Sequence, residues 1–110
     1  MKQCEIWYAD LNPTQGSEQQ GFRPVVIISG NLLNQYLPVV ITCPLTTKLK
    51  AYKGNLILEP NAQNSLSQKS EVMTFHIRSI SKDRLVKKIG IISPEQLKEL
   101  KQGLDDILRY

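Results

Sequence analysis

Residues 23–29 read "RPVVIIS", and the four branched apolar side chains in a row decide what kind of chain this is. The run is too short for a helix, and β-branched residues bounded by turn signals favour a buried strand. Arg23 at its lip raises a second question, because entering a strand requires no charge. Two readings stand at this point: Arg23 is an incidental rim residue, or it holds a cation over a site.

Working outward, "CEIWYADL" at 4–11 reads as a first strand, and 12–22 as a long loop carrying Asn12, Pro13, Gly16 and Gly21. "GNLLNQY" at 30–36 suits one or two helical turns, and "PVVITC" at 38–43 another buried strand that Pro44 ends. A lysine-bearing loop follows (Lys48, Lys50, Lys53), then a strand "NLILE" at 55–59 and a loop over 60–70. Residues 71–80, "EVMTFHIRSI", alternate as one strand should. That places Met73, Phe75 and Ile77 on one side and Thr74, His76 and Arg78 on the other. A final strand spans 84–92.

The C-terminus carries the clearest helix signal. Ser93 is a good N-cap, Pro94 fits the first helical position, and Gln96 completes a capping box. Leu97, Leu100, Leu104, Ile107 and Leu108 fall on one face, which should lie on the sheet. Gly103 is expected to weaken the helix by ~1 kcal/mol relative to alanine. Short strands followed by one helix predict a mainly β (α+β) fold. The expected form is one domain over 1–110, a small curved antiparallel sheet or barrel with the C-terminal helix packed on it.

The composition suits a soluble globular chain: 110 residues, 41% hydrophobic and 22% charged, without the signature of disorder. Two cysteines, Cys4 and Cys43, make no disulfide framework. No leader or membrane-spanning run is visible, so a cytoplasmic protein with reduced thiols is expected. The net charge of +4 permits a polyanionic partner without identifying one.

No zinc spacing, phosphate-binding glycine loop or nucleophile elbow occurs, so neither a metal nor another cofactor is expected. What remains is polar: Ser17, Glu18, Gln19 and Arg23; Thr46 and Thr47; Thr74, His76 and Arg78. Taken singly, these are ordinary loop, strand-end and surface residues. Taken together, they suit an anionic substrate held between an arginine, hydroxyls and the lysines.

"IW…DLNPTxGSEQxGxRPVV", "PLTT" and "IRSISKDRL" occur in that order, and with them the chain resembles the MazF/PemK (Kid) toxins of bacterial toxin–antitoxin systems, from Glu5 to the last helix. The resemblance implies an SH3-like barrel that forms homodimers. It also implies a sequence-specific, metal-independent endoribonuclease acting on single-stranded RNA, messenger RNA included. A cognate antitoxin would block it with an acidic, flexible C-terminal tail. By the same resemblance Arg23 and Thr46 form the catalytic pair, Glu18 is a weaker catalytic candidate, and the loop Gly16 to Gln19 helps bind substrate.

Ser17, Gln19, Thr47, Lys48, Lys50, His76 and Arg78 complete the expected RNA-binding set. Lys82, Arg84, Lys87 and Lys88 stay undecided between RNA contact and solvated surface. Some relatives of PemK type use a histidine, an arginine and an aspartate where this chain has Ser17, Met73 and Phe75, so that acid–base set is missing. His76 stands where MazF-like proteins often carry glutamine; it lines the groove, stacks on a base or shares in proton transfer. Cys4 replaces a usual glycine. Two alternatives remain: a non-catalytic CcdB-like toxin, or an RNA- or protein-binding module of the same fold.

Overall fold

The computed structural model describes residues 1–11 and 21–110. The apolar run becomes β2 (Phe22–Ile27), which pairs with β1 (Glu5–Asp10) on one edge and β3 (Val39–Thr46) on the other. Both faces of β2 are covered. Val25 and Ile27 join Ala9, Leu11, Val40, Ile80 and Leu85 in one apolar cluster, while Val26 joins Ile6, Cys43, Leu45, Leu58 and Leu100 in another. A strand buried on both faces has no use for alternation, which is why its sequence is continuously apolar.

The remaining described elements are α1 (Asn31–Tyr36), β4 (Leu56–Leu58), β5 (Ser70–Val72), β6 (Arg78–Ser81), β7 (Leu85–Ile91) and α2 (Pro94–Arg109). Two 3-10 turns lie at Thr74–His76 and Lys82–Arg84. The strands pair antiparallel in the order β4-β5-β3-β2-β1-β7, with β6 also on β3. The mainly β fold with a terminal helix, expected from the sequence, is the one observed.

Two expectations fail at the same place. Pro44 does not end β3 but lies inside it, opposite Val25. Its carbonyl accepts from the Met73 amide at 2.8 Å, and a strand residue's N–H points to the same side as its carbonyl. The missing N–H therefore faces the gap where β3 changes partner, with β6 along Val39–Thr42 and β5 along Leu45–Thr46.

That change of partner also breaks the strand expected over 71–80. Between Val72, opposite Leu45, and Arg78, opposite Thr42, five residues (73–77) face only Cys43 and Pro44. The surplus is taken up by the turn Thr74–His76. Thr74 is consequently fully buried rather than on a polar face with His76 and Arg78, while Phe75 and Ile77 are exposed.

Helix α2 forms as its local signals require. The Ser93 hydroxyl accepts from the Gln96 amide at 3.0 Å, and the Gln96 side chain accepts from the Ser93 amide at 2.9 Å. Leu97 and Leu100 are buried and Leu104 packs against the same cluster, but Leu108 lies 77% exposed, off the buried stripe. Gly103 has a tertiary role: a Cβ there would stand 2.1 Å from the carbonyl oxygen of Gly54. The helix needs that glycine because a loop backbone rests on it.

The thiols of Cys4 and Cys43 are free. Burial pushes Cys43 up to about 12 and raises Cys4, so neither is an activated nucleophile. Cys4 has φ of 80°, the left-handed region that a glycine would occupy without strain.

Candidate active site

The sheet builds the first wall of the site. The β2–β3 ladder runs to Val25 opposite Pro44, and Arg23 and Thr46 lie two residues further along their strands, past its end. Thr46 is in turn opposite Glu71 on β5. Directly paired residues of antiparallel strands project to the same face, so Thr46 and Glu71 stand side by side, while Arg23 is fixed on β2 by its pairing with Ala9.

Arg23, Thr46 and Glu71 all line a cavity of about 450 Å³, together with Lys48, Lys50 and Asn55, and with Tyr52, Met73, Phe75 and His76. A second cavity of about 330 Å³ shares Arg23, Thr46 and Lys48 and adds Thr47. The arginine and the threonine thus stand between two hollows. Among the described residues no ion pair engages Arg23, Lys48 or Lys50. The Thr46 hydroxyl accepts from the Lys48 amide at 3.1 Å, which leaves its own proton free to donate.

The second wall is made of loops and hangs on Glu71. This carboxylate is 1% exposed. One oxygen accepts from the amides of Lys50 (2.7 Å) and Ala51 (2.8 Å); the other accepts from the Tyr52 amide (3.2 Å) and the Asn55 side chain (2.6 Å). Burial by itself would raise the carboxyl, but these hydrogen bonds outweigh it and hold Glu71 below its ordinary value. Asn55 extends the network: its side-chain oxygen accepts from the Thr74 amide at 2.9 Å. One buried charge therefore anchors both the lysine loop and the turn that carries Phe75 and His76.

Of the residues expected from the sequence, Arg23, Thr46, Lys48, Lys50 and His76 meet at the cavity of about 450 Å³; Thr47 does not line it but lines the one of about 330 Å³ and a neighbouring hollow with Lys87 and Lys88. Arg78 lines neither, because it lies on β6 opposite Thr42, beyond the turn. Ser17, Glu18 and Gln19 fall outside the described residues. Glu71, Asn55 and Tyr52 were not anticipated, while Met73 and Phe75 line the cavity at positions where relatives of PemK type carry acid–base residues. The one local signal was an acid at the head of an apolar run, and nothing in the sequence tells which amides it meets. Among the described residues no group of three or more His, Cys, Asp or Glu could hold a metal ion.

The structure is thus a seven-stranded antiparallel sheet with a terminal helix, and Arg23, Thr46 and two lysines line one of its cavities. The family model described as "PemK-like, MazF-like toxin of type II toxin-antitoxin system" matches residues 2–108, and the chain belongs to that family. It is 35% identical over 106 residues to the endoribonuclease MazF of Staphylococcus saprophyticus, covering 96% of this chain and 88% of the relative. A crystal structure of MazF from Deinococcus radiodurans superposes with a TM-score of 0.83 at 23% identity, covering 100% of this chain and 97% of that one. An endoribonuclease in complex with its cognate antitoxin from a mycobacterial species superposes with a TM-score of 0.81 at 20% identity, covering 98% and 94%.

Proposed function

We propose that this chain, an endoribonuclease toxin by family, cuts single-stranded RNA through attack of a 2′-hydroxyl on the adjacent phosphorus, without a metal ion. The new 2′-oxygen–phosphorus bond forms as the bond to the 5′-oxygen breaks. The hydroxyl proton is lost and the leaving oxygen gains one, so the products are a 2′,3′-cyclic phosphate and a 5′-hydroxyl end. The observation that carries this reading is that Arg23 and Thr46 line the same cavity together with Lys48 and Lys50.

Negative charge grows on the non-bridging oxygens, and the planar guanidinium of Arg23 presents several donors to it. Thr46 adds one hydrogen bond and orients the phosphate. Lys48 and Lys50 supply cations along the backbone of the strand. Glu71 is unsuited as the general base: four donors occupy its oxygens and its proton affinity is depressed. Glu18 stays the weaker catalytic candidate.

The cations around the cavity also suit the acidic tail of a cognate antitoxin, which would then compete with RNA. Residues 1–110 act in this reading as one toxin domain, a cytoplasmic homodimer. No helix among the described residues is long and apolar enough to cross a membrane.

The deciding experiment incubates the purified chain with mixed-sequence single-stranded RNA in excess EDTA and maps the new 5′ ends. Cleavage that persists in EDTA, and stops when the 2′-hydroxyl at the cut site is methylated, supports the reading. RNA left intact would point to a non-catalytic toxin. His76→Gln is expected to keep the shape of the pH–rate profile; a profile that loses one limb would give the imidazole a share in proton transfer.

A further inference from the structure

The cavity has an apolar side that cleavage chemistry does not use. Tyr52 and Phe75 meet with ring centroids 5.9 Å apart at 53°, and Phe75 meets His76 at 4.5 Å and 41°. The three rings form a continuous aromatic wall of the cavity that also holds Arg23, Lys48 and Lys50. Two of them are about half exposed: Tyr52 at 52% and Phe75 at 46%.

Nothing about this exposure is incidental to the fold. The surplus of residues opposite β3 extrudes the turn bearing Phe75 and His76. The Glu71–Asn55 network fixes the amides of Tyr52 and Thr74, one beside each part of the wall. Large rings held half in water by a buried hydrogen-bond network forgo the burial that would otherwise draw them into the core. Cations beside exposed rings match unpaired nucleic acid, whose phosphates seek charge and whose bases seek a flat apolar face.

We propose that the Tyr52–Phe75–His76 wall is a stacking subsite for one unpaired nucleobase of the RNA, in a nucleotide flanking the phosphate held by Arg23 and Thr46. This rests on the reading of the cavity as an RNA site, and it adds how a base is gripped there. Stacking accepts any base face, so the wall supplies affinity and position, and the choice among bases falls to hydrogen bonds from elsewhere.

The test uses the cleaved sequence once its cut site is mapped, with an abasic residue introduced singly at each flanking position. The wild-type chain should lose ~10-fold or more in kcat/KM at one position. Phe75→Leu and Tyr52→Leu should show about that loss on intact RNA and little further loss on the abasic strand, with melting temperatures near wild type. If every abasic strand is cut as well as intact RNA, the subsite is overturned while the nuclease stands. If no RNA is cut, the nuclease reading fails, and 2-aminopurine in uncut RNA decides the subsite alone. Fluorescence quenched by wild type and not by Phe75→Leu sustains it; equal signals, or occupancy of the wall by an acidic peptide only, overturn it.

Discussion

One wall of the cavity is made of paired strands and the other of loops, and the two are held in place by different physics. On the strand wall backbone ladders set the positions of Arg23, paired with Ala9, and Thr46, paired with Glu71, so the neighbouring hydrogen bonds share in fixing them. On the loop wall the amides of Lys50, Ala51 and Tyr52 have no ladder to join, and the Glu71 carboxylate serves as their common acceptor. Ala51 even adopts φ of 53° to aim its amide at it. Charge-assisted hydrogen bonds are roughly twice as strong as neutral ones, so a single acid can do for a loop what a ladder does for a strand. The difference teaches where each wall is vulnerable: the strand wall in its chemistry, the loop wall in its architecture.

The sharpest way to break this contrast is Arg23→Ala. It should lower RNA cleavage by about 10³-fold, the scale of losing a principal transition-state donor, without altering the melting temperature. Single-turnover cleavage beside a thermal melt checks both halves. A fall in stability as large as the fall in rate would erase the distinction between the walls.

Glu71→Gln attacks the other wall. The amide turns donors toward donors, and a loss of ~3 kcal/mol of stability is expected in denaturant unfolding. The pH dependence has a definite sign. Because the folded-state value of Glu71 lies below the ordinary 4.5, its contribution is fully present above that pH. It is lost as pH falls from there through the lowered folded value. The glutamine variant should therefore show a shallower decline across that acid window than the wild type.

Gly103→Ala tests whether helix α2 obeys its own propensity or its neighbour. Propensity alone predicts a gain of ~1 kcal/mol, whereas the contact with Gly54 predicts a loss of ~2 kcal/mol from overpacking. The loss is expected, with the Lys48–Asn55 loop displaced and RNA binding weakened. Smallest is Thr74→Val. The Thr74 hydroxyl is buried with no hydrogen-bond partner among the described residues, so replacing it by a methyl should stabilise the chain by ~1 kcal/mol. Unchanged or lower stability would show that the hydroxyl has a partner after all.

Legibility tracked the range of the interaction. Ser93, Pro94 and Gln96 specify the start of α2 within four residues, and every one of those signals was realised. The apolar runs of β2 and β3 announced buried strands because no other element of that length buries both faces. Arg23 and Thr46 were singled out through the resemblance to toxins, and their meeting at one cavity is a product of the pairing of β2 with β3. The strand expected over 71–80 failed because its alternation is locally sound, and only the count of residues opposite Cys43 and Pro44 breaks it. Leu108 failed for a lesser reason: it lies at the edge of the helical stripe, near the free end.

The sequence alone was enough to find β1 to β4 and β7, the start of the last helix and the family motifs, since these depend on side chains within a few positions of one another. Only the tertiary structure decided that Glu71 anchors a loop, that Gly103 receives a backbone and that three rings line a cavity. Each of those depends on a partner far along the chain, and its place is set by how strands are paired.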